Sequence, residues 1–215
     1  MEDTAEAGRA FKGIYKASIE AVCTAVDLYA RASGDSQAIA DVMLFEMVKE
    51  LKMKPEGRAA KFVDHFLYGG GEDIVFGAGT LLNEDLGVRK RVSEGILEKI
   101  RNNPSLLKAD KRMSGGEYVI SIRQRDYANS DWRNALGSFA IEWEFAALSL
   151  DRNRMFATVW GANEYKWHPA ADRVTQCIHQ AGDRLTRSKK VKATNFWMKA
   201  MPAVIVISTG KPVTP

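Results

Sequence analysis

Residues 140–160 read AIEWEFAALSLDRNRMFATVW, and this stretch decides the fold. Ile141, Trp143 and Phe145 alternate with Glu142 and Glu144, the two-residue period of a strand with one face buried. Asp151, Arg152 and Asn153 supply turn chemistry, and Met155-Phe-Ala-Thr-Val-Trp follows as a second β-rich run. The spacing predicts a β-hairpin. Working outward, Glu117-Tyr-Val-Ile-Ser-Ile-Arg also alternates, and Ala203-Val-Ile-Val-Ile-Ser is a β-branched run suited to a buried strand. Between them, a helix is expected from about Asp172 to Thr186, after Pro169.

The period changes on the other side of Pro104. Phe11, Ile14, Tyr15, Ile19, Val22, Val26 and Tyr29 recur at three- and four-residue steps, so residues 5–31 are expected to form an amphipathic helix with Cys23 beside the apolar stripe. A Ser-Gly-Asp turn at 33–35 precedes a second helix reaching about Met53, with Ile39, Val42, Met43, Leu44, Met47, Val48 and Leu51 as its apolar set. Pro55 breaks it. A third helix, Arg58 to Tyr68, places Phe62, Val63, Phe66 and Leu67 on one side, and a left-handed cap is expected at Gly69–Gly71. A fourth runs from about Leu86 to Arg101 on Val88, Val92, Ile96, Leu97 and Ile100. The expectation is a single α+β domain over 1–215, in which a mainly helical part (1–103) packs on a small, mainly antiparallel sheet in a strand-bearing part (104–215).

Composition narrows the function classes. The chain has 215 residues, 46% hydrophobic and 27% charged, enough apolar material for a real core. The net charge of +4 is mild, and its clearest concentration is Arg184, Arg187, Lys189, Lys190 and Lys192. That run reads either as a solvated helix end or as a contact for an anionic partner. Two cysteines are too few for a disulfide scaffold, and neither belongs to a CxxC pair. No stretch has the length of a membrane span, so stable membrane insertion is not expected. The acidic start lacks the layout of a signal peptide, which predicts synthesis in the cytoplasm and, for any action elsewhere, non-classical export.

Neither HExxH, GxSxG nor an EF-hand loop occurs, and the glycines at 69–71 lack the Lys-Ser/Thr ending of a phosphate loop. No cofactor or metal is expected. The three histidines, His65, His168 and His179, are the candidate bases. The densest polar–aromatic stretch, Asn163-Glu-Tyr-Lys-Trp-His-Pro, runs towards Thr175-Gln-Cys-Ile-His. A helix starting near Asp172 or Thr175 would put Cys177 in or near its first turn, where the dipole favours a thiolate. His168 on the preceding loop, or His65 arriving from elsewhere, could then complete a Cys–His pair, whereas His179 points away on the same helix. The plainer reading makes Cys177 core packing and His65 a boundary residue.

Three stretches in order, His65-Phe-Leu-Tyr-Gly-Gly-Gly-Glu-Asp, Ala135-Leu-Gly-Ser-Phe and Asn163-Glu-Tyr-Lys-Trp-His-Pro, resemble C-terminal toxin domains of bacterial polymorphic toxins and type VI secretion effectors. Of two chemistries that the resemblance implies, the colicin M type needs an Asp-x-Tyr-Asp motif, and Asn163, Tyr165 and Lys166 stand there without the acids. The other is the NlpC/P60-like cysteine hydrolase, whose permuted papain-like versions place histidine before cysteine, as His65 and His168 precede Cys177. That family carries its histidine on a strand, whereas His65 reads as helical here. The resemblance thus implies a secreted antibacterial effector with Cys177 as nucleophile and His65 or His168 as base, delivered to the periplasm of a target bacterium. Its expected partners are peptidoglycan or a related envelope substrate, a cognate immunity protein and a secretion-machinery component. Two alternatives stay open: a non-enzymatic secretion adaptor or immunity-type binding protein, and a nucleic-acid-directed toxin working through 184–192.

Overall fold

The computed structural model describes residues 19–21, 23–24, 34–107, 118–165, 173–188 and 191–209. The elements are α1 (Gly34–Lys52), α2 (Arg58–Tyr68), β1 (Ile74–Gly77), α3 (Ala78–Glu84), α4 (Leu86–Asn102), β2 (Val119–Ile122), α5 (Ser130–Leu136), β3 (Phe139–Leu148), β4 (Arg154–Tyr165), α6 (Arg173–Ser188) and β5 (Phe196–Ser208). The α+β class is as expected. Most of the helix expected over 5–31 lies outside the described residues.

The chain forms two compact units, each built from two segments: Met1–Glu72 with Tyr165–Phe196, and Asp73–Glu164 with Trp197–Pro215. In the first, α2 buries Phe62, Val63, Phe66 and Leu67, and Phe45 of α1 meets Phe66 with ring centroids 5.5 Å apart. Helix α6 contributes Val174, Ala181 and Leu185 at seven- and four-residue steps. The inward face of α1 is rotated from its expected stripe. Ala38, Asp41, Leu44, Phe45 and Val48 are buried, while Ile39, Met43 and Leu51 are exposed. On this buried face Phe45 packs on Phe66 of α2 and the Asp41 carboxylate meets a cation on α6. Helix α2 ends with Gly69 still right-handed, and the left-handed turn comes one residue later, at Gly70 (φ 67°) and Gly71 (φ 87°).

The second unit is built on a five-stranded sheet of order β1-β5-β4-β3-β2. The expected hairpin is β3–β4, with Glu142 opposite Trp160 and Trp143 opposite Val159. Its register shifts after Phe145, between the pairs Phe145–Ala157 and Ala147–Phe156, and Phe145, on the face of Ile141 and Trp143, is half-buried. Strand β2 runs antiparallel to β3, and β1 runs parallel to β5 from Ile74 opposite Met198 to Gly77 opposite Met201. This pairing stops where Pro202, which has no N–H, interrupts the ladder. Buried residues on β5 are Phe196, Met198 and Ala200 before the proline and Ile207 after it, a change of parity that marks a kink.

Helices cover one sheet face. A Cβ on Gly79 of α3 would lie 3.3 Å from Ala203, and Phe76 meets Trp132 of α5 at 5.3 Å. Glu142, Glu144, Val204 and Val206 are exposed on the strands. Helices α3 and α5 were not evident in the sequence because seven residues give too few turns for a clear period.

Asp85 ties this unit together. It caps α4, accepting from the Val88 N–H at 3.0 Å, and also accepts from the N–H groups of Ala128 (2.9 Å) and Asn129 (2.9 Å). The carboxylate is fully buried, and these three donors offset the cost of taking it from water.

Candidate functional site

Cys177 is the fifth residue of α6, past the first turn, where the effect of the helix dipole has largely decayed. It is bonded to Cys23, 154 positions away in sequence, with Cα atoms 6.1 Å apart. A sulfur in a disulfide has no proton to lose and cannot be a thiolate, so in this form Cys177 is not the expected nucleophile. Both cysteines of the chain are used in this bond. It fastens the N-terminal segment, at the buried Cys23, to α6.

His65 is placed on a helix, as the sequence implied, and makes a hydrogen bond and a ring contact there. Its Nε2 lies 2.5 Å from the Glu72 carbonyl oxygen, so this nitrogen carries the hydrogen and donates. Its ring packs edge-on against Phe196 at 4.7 Å. The other nitrogen, Nδ1, sits under Gly69, where even a Cβ would come within 2.6 Å. The same Cβ would come within 2.5 Å of the His65 carbonyl oxygen, so backbone and imidazole together favour glycine after α2. His168, the alternative base, lies outside the described residues.

The polar–aromatic stretch divides. Asn163 donates through Nδ2 to the Ser138 carbonyl at 2.8 Å. Tyr165 stacks on Phe196, with centroids 4.8 Å apart and planes 10° from parallel, and Phe62 closes edge-on over both. Burial pushes the Tyr165 hydroxyl far above its ordinary 10.0, so it stays protonated.

A charged cluster beside His65 went unnoticed in the sequence. Lys49 on α1 lies 2.5 Å from Asp64 and 2.5 Å from Glu46, and Tyr68 donates to Glu46 at 2.8 Å. Burial alone would raise the Glu46 carboxyl, but the hydrogen bonds from Lys49 and Tyr68 outweigh it and hold the group below 4.5. Lys49 is conversely held above 10.5, since its two carboxylates overcome the opposing effect of burial. Every member has a partner, and the cluster joins α1 to α2. Spacing gave a partial signal: Glu46 and Lys49 are three apart on one helix face, as are Tyr68 and His65.

The basic run is also partly neutralised. Arg184 forms a two-pronged pair with buried Asp41, Nε to Oδ2 at 3.0 Å and Nη2 to Oδ1 at 2.7 Å. Arg187 pairs with Asp183 at 2.7 Å. Lys189 and Lys190 lie outside the described residues. Among the described residues no group of three or more His, Cys, Asp and Glu side chains could hold a metal ion.

No known protein family, curated protein or solved structure matches the chain.

Proposed function

We propose that this chain is a secreted antibacterial effector that works in the periplasm of a target bacterium, with Cys177 as a structural staple rather than a nucleophile. The carrying observation is the Cys23–Cys177 disulfide. Such bonds form and persist in oxidising compartments and are reduced in the cytosol. The bond therefore supports the periplasm as the place of action and withdraws support from cysteine-hydrolase chemistry. Peptidoglycan or another envelope component remains the target class, and a cognate immunity protein remains the expected partner. A second reading, an immunity-type binding protein, draws on the satisfied state of the cluster at Glu46, Lys49, Asp64 and Tyr68, which resembles a structural lock more than a reacting centre.

The test expresses the wild type, Cys23→Ser and Cys177→Ser in a bacterium, with and without a periplasmic targeting sequence. The wild type is expected to kill only when targeted to the periplasm. Both serine variants should weaken killing and lower the thermal midpoint to the same degree, because each removes the same bond. A silent Cys177→Ser beside a Cys23→Ser that still kills would restore the thiol as nucleophile. Killing by the untargeted wild type would overturn the compartment. Absence of killing together with protection against a periplasmic toxin would favour the immunity-type reading.

A further inference from the structure

Between α4 and β2 lies a half-open cavity of about 450 Å³, within the size range of small-ligand sites. Arg91, Glu98, Lys99 and Asn102 line it from α4, and their spacing of seven, eight and eleven residues from Arg91 keeps them on one helix face. Gly95 lies on that face too. A Cβ there would come within 2.8 Å of Ile120 Cδ1 and 3.2 Å of Arg91 Nη1, so the glycine both lets the helix sit close to the strand and keeps the cavity floor open. From the other side come Val119, Ile120, Ser121 and Arg123. Successive strand residues point to opposite faces, so a space touched by three in a row is touched at the strand's edge. Among the described residues β2 is the outermost strand of the sheet and pairs with β3.

The chemistry of the wall is specific. Three residues with cationic side chains, Arg91, Lys99 and Arg123, line it together with one carboxylate residue, Glu98. Guanidinium groups match phosphate oxygens in a two-pronged fashion, and Lys99 adds a point charge. Glu98, Asn102 and Ser121 supply the acceptors and donors that sugar hydroxyls require. The described lining contains no aromatic residue, hence no platform for stacking bases, which argues against single-stranded nucleic acid. We infer that this groove binds a phosphorylated sugar, its phosphate held by Arg91 and Arg123 and its hydroxyls by Glu98, Asn102 and Ser121. The site is independent of the disulfide and extends beyond the function proposed above.

Titration calorimetry on the full chain tests this, with inorganic phosphate, ribose 5-phosphate, N-acetylglucosamine 1-phosphate and unphosphorylated N-acetylglucosamine as probes. Both sugar phosphates should compete for one site and bind more tightly than phosphate, and the uncharged sugar should not bind. Tighter binding of ribose 5-phosphate would assign the site to nucleotide-type ligands, and of the hexosamine phosphate to envelope-type ones. Arg91→Gln combined with Arg123→Gln should weaken binding at least about tenfold, the effect of losing charge-assisted hydrogen bonds. Glu98→Gln should tighten inorganic phosphate roughly two- to fivefold by removing a like charge. A misfolded protein could not give that gain. No saturable binding by either sugar phosphate, or unchanged affinity in the double variant, would overturn the assignment. Phosphate binding as tight as the sugar phosphates would reduce the site to a plain anion pocket.

Discussion

The two units are held by different means. In the second, strand ladders and one buried carboxylate, Asp85, do the joining, and Asp85 receives three backbone N–H groups. In the first, side chains cross between elements far apart in sequence: Cys23 to Cys177, Asp41 to Arg184, Lys49 to Asp64. Helices satisfy most of their backbone groups internally, so a helical unit is tied across mainly by side chains, here with one backbone bond from the Thr194 N–H to the Phe66 carbonyl, whereas a sheet ties distant strands through the backbone itself. Side-chain ties depend on redox state and pH in a way that a backbone ladder does not.

The sharpest way to break this contrast is to remove the disulfide. Opening a loop of 154 residues should cost about 5 kcal/mol by the chain-entropy relation. Hydrogen exchange is expected to speed up in α1, α2 and α6 while β3 and β4 keep their protection. Equal loosening of both units would show that they unfold as one. The reciprocal change is Asp85→Ala. It strands three N–H donors, two of them outside the helix it caps, and should cost about 4 kcal/mol. Intrinsic fluorescence reports this well, since Trp132, Trp143, Trp160 and Trp197 all belong to the second unit. A urea midpoint shared with the wild type would remove Asp85 from the account.

A smaller effect is expected at Arg184→Met. It leaves Asp41 buried without its guanidinium, and because Arg184 is itself 33% exposed the cost should be about 2 kcal/mol, read as a lowered urea midpoint of α1 and α6 helicity. The companion Asp41→Asn should recover part of that loss in the double variant, because no buried charge remains. The smallest effect is a pH slope confined to the first unit. Glu46 is held below 4.5, so its contribution is present above that value and fades as pH falls through the folded-state value. Lys49 and Tyr68 are held above 10.5 and 10.0, so theirs is present below those values and fades as pH rises past them. Lys49→Met should flatten the stability profile at both ends, and an unchanged profile would show that the cluster contributes nothing.

Much of the architecture could be read from residue order. Period-two alternation at Ile141 and Trp143 and the turn at 151–153 located the hairpin, and Phe62, Val63, Phe66 and Leu67 marked the buried side of α2. Three features escaped for physical reasons. The buried face of α1 holds a pairing between Asp41 and Arg184, 143 positions apart, which no local period encodes. The strand β5 begins seven residues before its β-branched run, because Phe196, Met198 and Ala200 alternate with Trp197 and Lys199 less conspicuously than Val204-Ile-Val-Ile does. The cysteine was read for reactivity from its place near a helix start, when its distant partner decided its chemistry. The cationic groove was foreshadowed only by Arg89-Lys-Arg91 and Lys99-Ile-Arg101, runs that look like an ordinary solvated face until β2 is laid beside them.

The interleaved course of the chain has a consequence for biosynthesis. A ribosome releases the block 73–164 before the segment 165–196 that completes the first unit. Cys23 therefore emerges long before its mate and spends that interval as a lone thiol, open to capture by any oxidant or foreign sulfhydryl nearby. A host that keeps its cytosol reducing spares the chain this mispairing and leaves the correct closure to whichever compartment receives the finished polypeptide.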